Sequence, residues 1–94
     1  MGGHSAVKQA NEFDPEWVTM LHAQKAAVEE KAGTTFEHFE VVEGTQQVVA
    51  GSVFRIKFRV GHAQGEHIWA QIFIPLPNSG KPTEVQSVSW ESIY

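Results

Sequence analysis

The 94-residue sequence contains no cysteine. That excludes a disulfide framework, a thiol nucleophile and a cysteine-built zinc site. There is no apolar run of membrane-spanning length, and Met1 to Lys8 is polar with no apolar signal core. Neither a transmembrane helix nor a signal peptide is expected, so the predicted location is cytoplasmic and no membrane partner is expected. The Met-Gly start lacks the Ser or Thr that N-myristoylation needs, because Ala6 stands there. Basic residues are few. Seven Lys and Arg against eleven Asp and Glu leave a net charge of −4, with the acids crowded into the first half. A general nucleic-acid binder needs a basic footprint, so no nucleic-acid partner is expected.

The usual signs of catalysis are missing as well. His62 and His67 lie across an expected turn, and no carboxylate pair has metal-ligand spacing relative to them. No nucleophile elbow or oxyanion glycine motif accompanies Ser52, Ser87 or Ser89, and no glycine loop could cradle a phosphate. If Met1 is removed, Gly2-Gly3-His4 could enclose Cu(II) or Ni(II) in a square plane, which we read as test-tube chemistry. No enzyme, cofactor or functional metal is predicted.

What is present suits one folded domain over residues 1–94. A chain of this length buries roughly 60–65% of its unfolded surface, and six Phe with three Trp supply a modest core. Met1 to Phe13 opens on two glycines, shows no periodicity and reads as a flexible arm. Asp14-Pro15-Glu16 is a helix start: Asp caps, Pro fits the first turn, and Glu favours the positive end of the dipole. Trp17, Leu21, Gln24, Val28 and Lys31 share one helical face, widened by Met20 and Ala27. Core packing is the expected role of Trp17 and Met20. Gly33 stops the helix.

From Thr34 the period becomes two, with a phase slip between Phe36 and Phe39 that suggests a bulge. Phe54, Ile56, Phe58 and Val60 alternate with Arg55, Lys57 and Arg59 in the clearest strand. Gly61 to Gly65 is a turn. Ile68, Ala70, Ile72 and Ile74 form the next strand, opposed by Trp69, Gln71 and Phe73. Three prolines and a glycine make residues 75–82 a loop. Glu84 to Trp90 is a last strand, with either Val85 or Val88 and Trp90 facing inwards. One helix wrapped by a four- to five-stranded antiparallel sheet gives an α+β fold.

Gln47-Val48-Val49-Ala50-Gly51 lies between two of these strands, uncharged and ending in glycine. A turn normally carries Gly, Asn, Asp or Pro, and here only Gly51 does so. Val48 and Val49 either end a buried strand or form an apolar tip kept for a partner. This pentapeptide resembles the glutamine-x-valine-x-glycine motif of the cystatin family, inhibitors of papain-like cysteine proteases. The missing cysteines and the start of the chain resemble the stefin branch. The resemblance runs from Gly2 and Gly3 to about Tyr94, with Leu76-Pro77 in the place of the Pro-Trp pair of other cystatins.

The resemblance implies a cystatin-like fold and reversible occlusion of a protease cleft by three segments. These are Gly2 and Gly3 of the arm, Gln47 to Gly51, and Leu76-Pro77. Antiparallel pairing would put the two loops at one end of the sheet. Burying Val48, Val49 and Leu76 could contribute about 1.5–3 kcal/mol each. On this reading Gly51 permits close approach to the protease, and Gly51→Arg should block inhibition while leaving the fold intact. Two other readings stand beside it: a non-inhibitory interaction module on the same fold, and a single-stranded RNA-binding sheet using Arg55, Lys57, Arg59, Trp69 and Phe73. The expected state is a monomer, with a domain-swapped dimer as its alternative if the tip valines are strained.

Overall fold

A computed structural model describes residues 3–94. Asp14 opens the helical part as its side chain predicts: Oδ1 accepts the Glu16 N–H at 2.9 Å, and Pro15 takes the first helical position. The expected single helix is two segments, α1 (Pro15–His22) and α2 (Lys25–Ala32). Between them the Gln24 N–H reaches back only three residues, to the Leu21 carbonyl at 3.1 Å, and this tightens the turn. No proline or glycine marks the break. The end of α1 is tied instead to the sheet, where His22 Nε2 accepts the Val41 N–H at 3.1 Å.

Leu21 and Val28 are fully buried, with Val18 and Ala27 packed beside them. Met20, expected to widen that stripe, is exposed, because the opening between α1 and the sheet end leaves it without a partner. Gly33 ends α2 at φ 75°, a left-handed conformation that costs glycine little.

Residues 34–39, expected as early strand, are a linker. The Phe36 N–H donates to Glu29 Oε2 at 2.8 Å, and Phe39 stacks on Phe58 with ring centroids 4.1 Å apart. Strand β2 (Glu40–Val49) follows, with a bulge between Val41 and Glu43. Strands β3 (Gly51–His62), β4 (Gly65–Pro75) and β5 (Glu84–Ser89) continue as an antiparallel meander. The arm supplies β1 (Lys8–Gln9), which pairs with Gly44 and Glu43 at the free edge of β2. The α+β class therefore holds, with five strands in the order β1-β2-β3-β4-β5.

The core lies between this sheet and the helices. Phe54, Ile56, Phe58 and Val60 of β3 and Ile68, Ala70 and Ile72 of β4 are fully buried. The alternative inward sets for the last strand are both realised. Val88 pairs with Ala70 and Val85 with Ile72, because a bulge between those pairs adds Gln86 and restores the inward phase.

Candidate functional site

The β2–β3 hairpin turns within Val49-Ala50-Gly51, with Val49 paired to Gly51 and Val48 to Ser52. Inward-facing Gln46 donates from Nε2 to Ser52 Oγ at 3.0 Å and clamps the two strands just below the tip. Beyond that clamp the apolar side chains have no core to enter. Val48 is 74% exposed and Val49 46% exposed, and Ala50 is exposed as well. Gln47, opposite Val53, is half-buried.

Gly51 departs from its expected role. It is buried, and its φ of 118° is a backbone that side-chain-bearing residues rarely adopt. A β-carbon there would stand 2.6 Å from the Ile74 carbonyl oxygen and 2.9 Å from Pro75 Cα. The close approach that glycine permits is thus to the protein's own β4. Gly51→Arg cannot leave the fold untouched, which corrects the sequence reading. Nor do the valines carry strained dihedrals: among the described residues Asn78 alone combines a side chain with a positive φ.

That Asn78 shapes the second loop. The Ser79 N–H bonds the Leu76 carbonyl at 3.2 Å, with Pro77 and Asn78 between them and Asn78 at φ 69°. Pro followed by a residue at positive φ is the signature of a type II turn. The turn leaves Leu76 53% exposed and Pro77 exposed at its corner. Because Pro75 is the register partner of Gly51, Leu76 and Pro77 emerge beside the hairpin tip.

The arm approaches the same end. From Lys8, opposite Gly44, it runs antiparallel to β2 toward the tip, where the Ser5 N–H bonds the Gln46 carbonyl at 2.9 Å. Ser5 Oγ accepts the Gln46 N–H at 3.1 Å, and His4 Nδ1 lies 3.0 Å from the hydroxyl of buried Thr45. Residues expected as a loose arm are therefore docked. Desolvation, and then the nearby Arg55 charge, hold the His4 pKa below its usual value. Gly3 is exposed and nothing lies within 4 Å of where its β-carbon would be. Gly2 lies outside the described residues. The structure thus brings Gly3, Val48 to Gly51 and Leu76-Pro77 to one end of the sheet.

A residue expected only as core joins them. Half-buried Trp17 lines a shallow apolar depression of about 340 Å³ together with Val48, Val49, Gly51, Leu76 and Pro77. Trp17 and Asn78 were legible only as a helix-face residue and a loop residue, because sequence periodicity does not say which end of a sheet a helix meets.

The opposite sheet face is self-contained. Arg55 Nε donates to Gln71 Oε1 at 3.0 Å, Lys57 Nζ sits 5.5 Å from the Trp69 ring, and Arg59 bridges Glu40 and Glu66. Each cation of that strand has a side-chain neighbour, which is a carboxylate only for Arg59. Among the described residues no group of three His, Asp or Glu could hold a metal, and no helix is long and apolar enough to cross a membrane. His62 clusters with the rings of Phe36 and Trp90, with Nε2 3.0 Å from Thr34 Oγ1 and Nδ1 accepting the Gln64 N–H.

The family described as Cystatin domain matches residues 5–72, a span that includes the hairpin tip. The chain is similar to Cystatin-A1 of Sus scrofa, with 39% identity over 77 residues covering 82% of this chain and 73% of that protein. Leukocyte cysteine proteinase inhibitor 1 of Sus scrofa is 35% identical over 71 residues, 76% of this chain and 67% of that one. Cystatin-A of Rattus norvegicus is 37% identical over 68 residues, 72% of this chain and 63% of that one.

Proposed function

The chain belongs to the cystatin family, in its stefin branch, and from that premise we propose that it is a reversible, non-covalent, tight-binding inhibitor of papain-like cysteine proteases. It is an inhibitor and not an enzyme. The observation that carries the finer reading is the cluster of Val48, Val49 and Leu76, three exposed apolar side chains at one end of an otherwise well-packed sheet. Apolar side chains grouped this way mark an interaction surface.

On this reading Val48, Val49 and Ala50 enter the protease cleft with Leu76-Pro77 beside them. Gly2 and Gly3 lead the arm along the cleft's other side. Gln47 and Gly51 hold the tip in shape, one paired opposite Val53 and the other packed on β4. The segment covers the catalytic cysteine without presenting a carbonyl for attack, so no bond is made or broken. Pro77 and the Leu76–Ser79 hydrogen bond restrict the second loop before binding, which lowers the ordering cost of association.

The protein acts as a monomer in this scheme. The unusual backbone angle at the tip falls on Gly51, which tolerates it, and removes the strain that would favour strand exchange. A cysteine-free chain suits the reducing cytoplasm, where we place its action. The test is titration of active papain with the protein, following hydrolysis of a fluorogenic peptide. Stoichiometric loss of activity, regained on dilution, is expected. Full activity at micromolar folded protein would leave the alternative, a non-inhibitory interaction module on the same scaffold.

A further inference from the structure

Trp17 occupies the third helical position of α1, where its N–H bonds the Asp14 carbonyl at 3.0 Å and the Asp14 side chain caps the turn. Its backbone is therefore fixed. Its ring packs 5.3 Å from the ring of Phe54, tilted by 52°, and Phe54 is fully buried. One side of the indole is thus anchored in the core.

The other sides face space that is not filled. The depression of about 340 Å³ has the hairpin tip and the second loop as its walls, and Trp17 is the one helical side chain lining it. A second depression of about 360 Å³ lies between Trp17, Met20, Ile74, Pro75 and Pro77. Trp17 borders both. The tip and the second loop, held to one another where Gly51 faces Pro75, both border this open space with Trp17 beneath them.

From this juxtaposition we propose that Trp17 is a positioning residue for inhibition, an indole beneath both loops that holds their apolar side chains out of the groove. This deepens the inhibitor reading above and rests on it. Without the ring, Val48, Val49 and Leu76 would fold down into the vacated groove and bury their side chains there, a transfer favoured by the apolar surface removed from water. That collapsed state would compete with the open one. Apparent affinity falls by the fraction of molecules still in the competent state, so the loss appears chiefly in the association rate.

The experiment compares wild type with Trp17→Ala and Trp17→Phe, first as free proteins and then with papain. In the free proteins, exchange between the open and collapsed states is measured by ¹⁵N relaxation dispersion at Val48, Val49 and Leu76. Such exchange should appear at both loops in Trp17→Ala and disappear in Trp17→Phe. With papain, Trp17→Ala should associate about tenfold more slowly, as a competent population near a tenth predicts, with dissociation changed far less and Trp17→Phe restoring the rate.

Absence of exchange at the loops, or a wild-type association rate in Trp17→Ala, would overturn the proposal. So would a response confined to one loop, because the indole would then not bridge the two. If Trp17→Ala fails to fold, Trp17→Leu keeps apolar bulk without the ring plane and carries the same measurements. Should wild type fail to inhibit papain, the inhibitor reading falls, while the free-protein relaxation still decides whether Trp17 supports both loops.

Discussion

Gly51 and Pro75 face each other across the ladder between β3 and β4, and the space where a side chain on Gly51 would begin is already occupied by the Ile74 carbonyl and Pro75 Cα. The tip of the hairpin is therefore pinned to the root of the second loop by the absence of a side chain. On the proposed inhibitor reading, recognition and folding meet at this one residue.

Gly51→Ala should accordingly destabilise the protein by about 1–3 kcal/mol, the usual cost of forcing a side chain into such a backbone region. Urea unfolding measures it. Inhibition should weaken in parallel, since the tip must shift to accommodate the methyl group. An unchanged unfolding midpoint would show that the β4 backbone moves aside at no cost.

Val48→Ala and Leu76→Ala should behave in the opposite way. Both side chains are mostly exposed, so the unfolding midpoint should stay within about 0.5 kcal/mol of wild type. Papain affinity should drop by about tenfold for each, as expected for losing roughly 1.4 kcal/mol of apolar burial at a binding surface. Loss of stability without loss of affinity would move these residues from the contact surface to the core.

Asn78→Gly should keep the second loop and its binding, because glycine takes the positive φ freely. Asn78→Val should disrupt the loop, since a β-branched residue is a poor occupant of that region. Papain association rates for the two variants, compared with the Leu76–Ser79 hydrogen-bond coupling by NMR, check this directly.

The docking of the arm should depend on pH. Because its folded-state pKa is lowered, His4 binds fewer protons docked than free. The docked arm is then fully favoured above the free value of about 6.5 and loosens as pH falls through it toward the lowered value. Exchange of the Ser5 amide hydrogen, which bonds the Gln46 carbonyl, should show greater opening at pH 5 than at pH 7.5 once intrinsic rates are divided out. His4→Gln should flatten the profile.

Much of the fold is legible in residue alternation and local chemistry. The β3 pattern from Phe54 to Val60 places the core, the Asp14-Pro15 cap places the helix start, and the prolines of 75–82 place the loop. What escapes the sequence is decided by tertiary contacts. The break after His22 has no local signal and coincides with the bond that His22 accepts from Val41, far away in the chain. The bulge that turns both Val85 and Val88 inward depends on the register with β4. In the candidate site, the family resemblance singles out Val48, Val49 and Leu76-Pro77, while the residues alone leave the valines open between a buried strand end and an exposed tip. The inward commitment of Gly51 and the position of Trp17 follow only from how the elements pack.

The meander order of the strands has a consequence for the route by which the chain folds. The pairings β2–β3, β3–β4 and β4–β5 each join strands linked by a short connection, so these contacts close short loops and can form early. β1 is the exception: Lys8 meets Gly44 only after both helices have been spanned, a closure whose entropy cost grows with the intervening length. The edge strand, and with it the glycine arm, should therefore be absent from the rate-limiting barrier. Conservative truncation of Ile56 should slow refolding, whereas truncation at Lys8 should change mainly the unfolding rate.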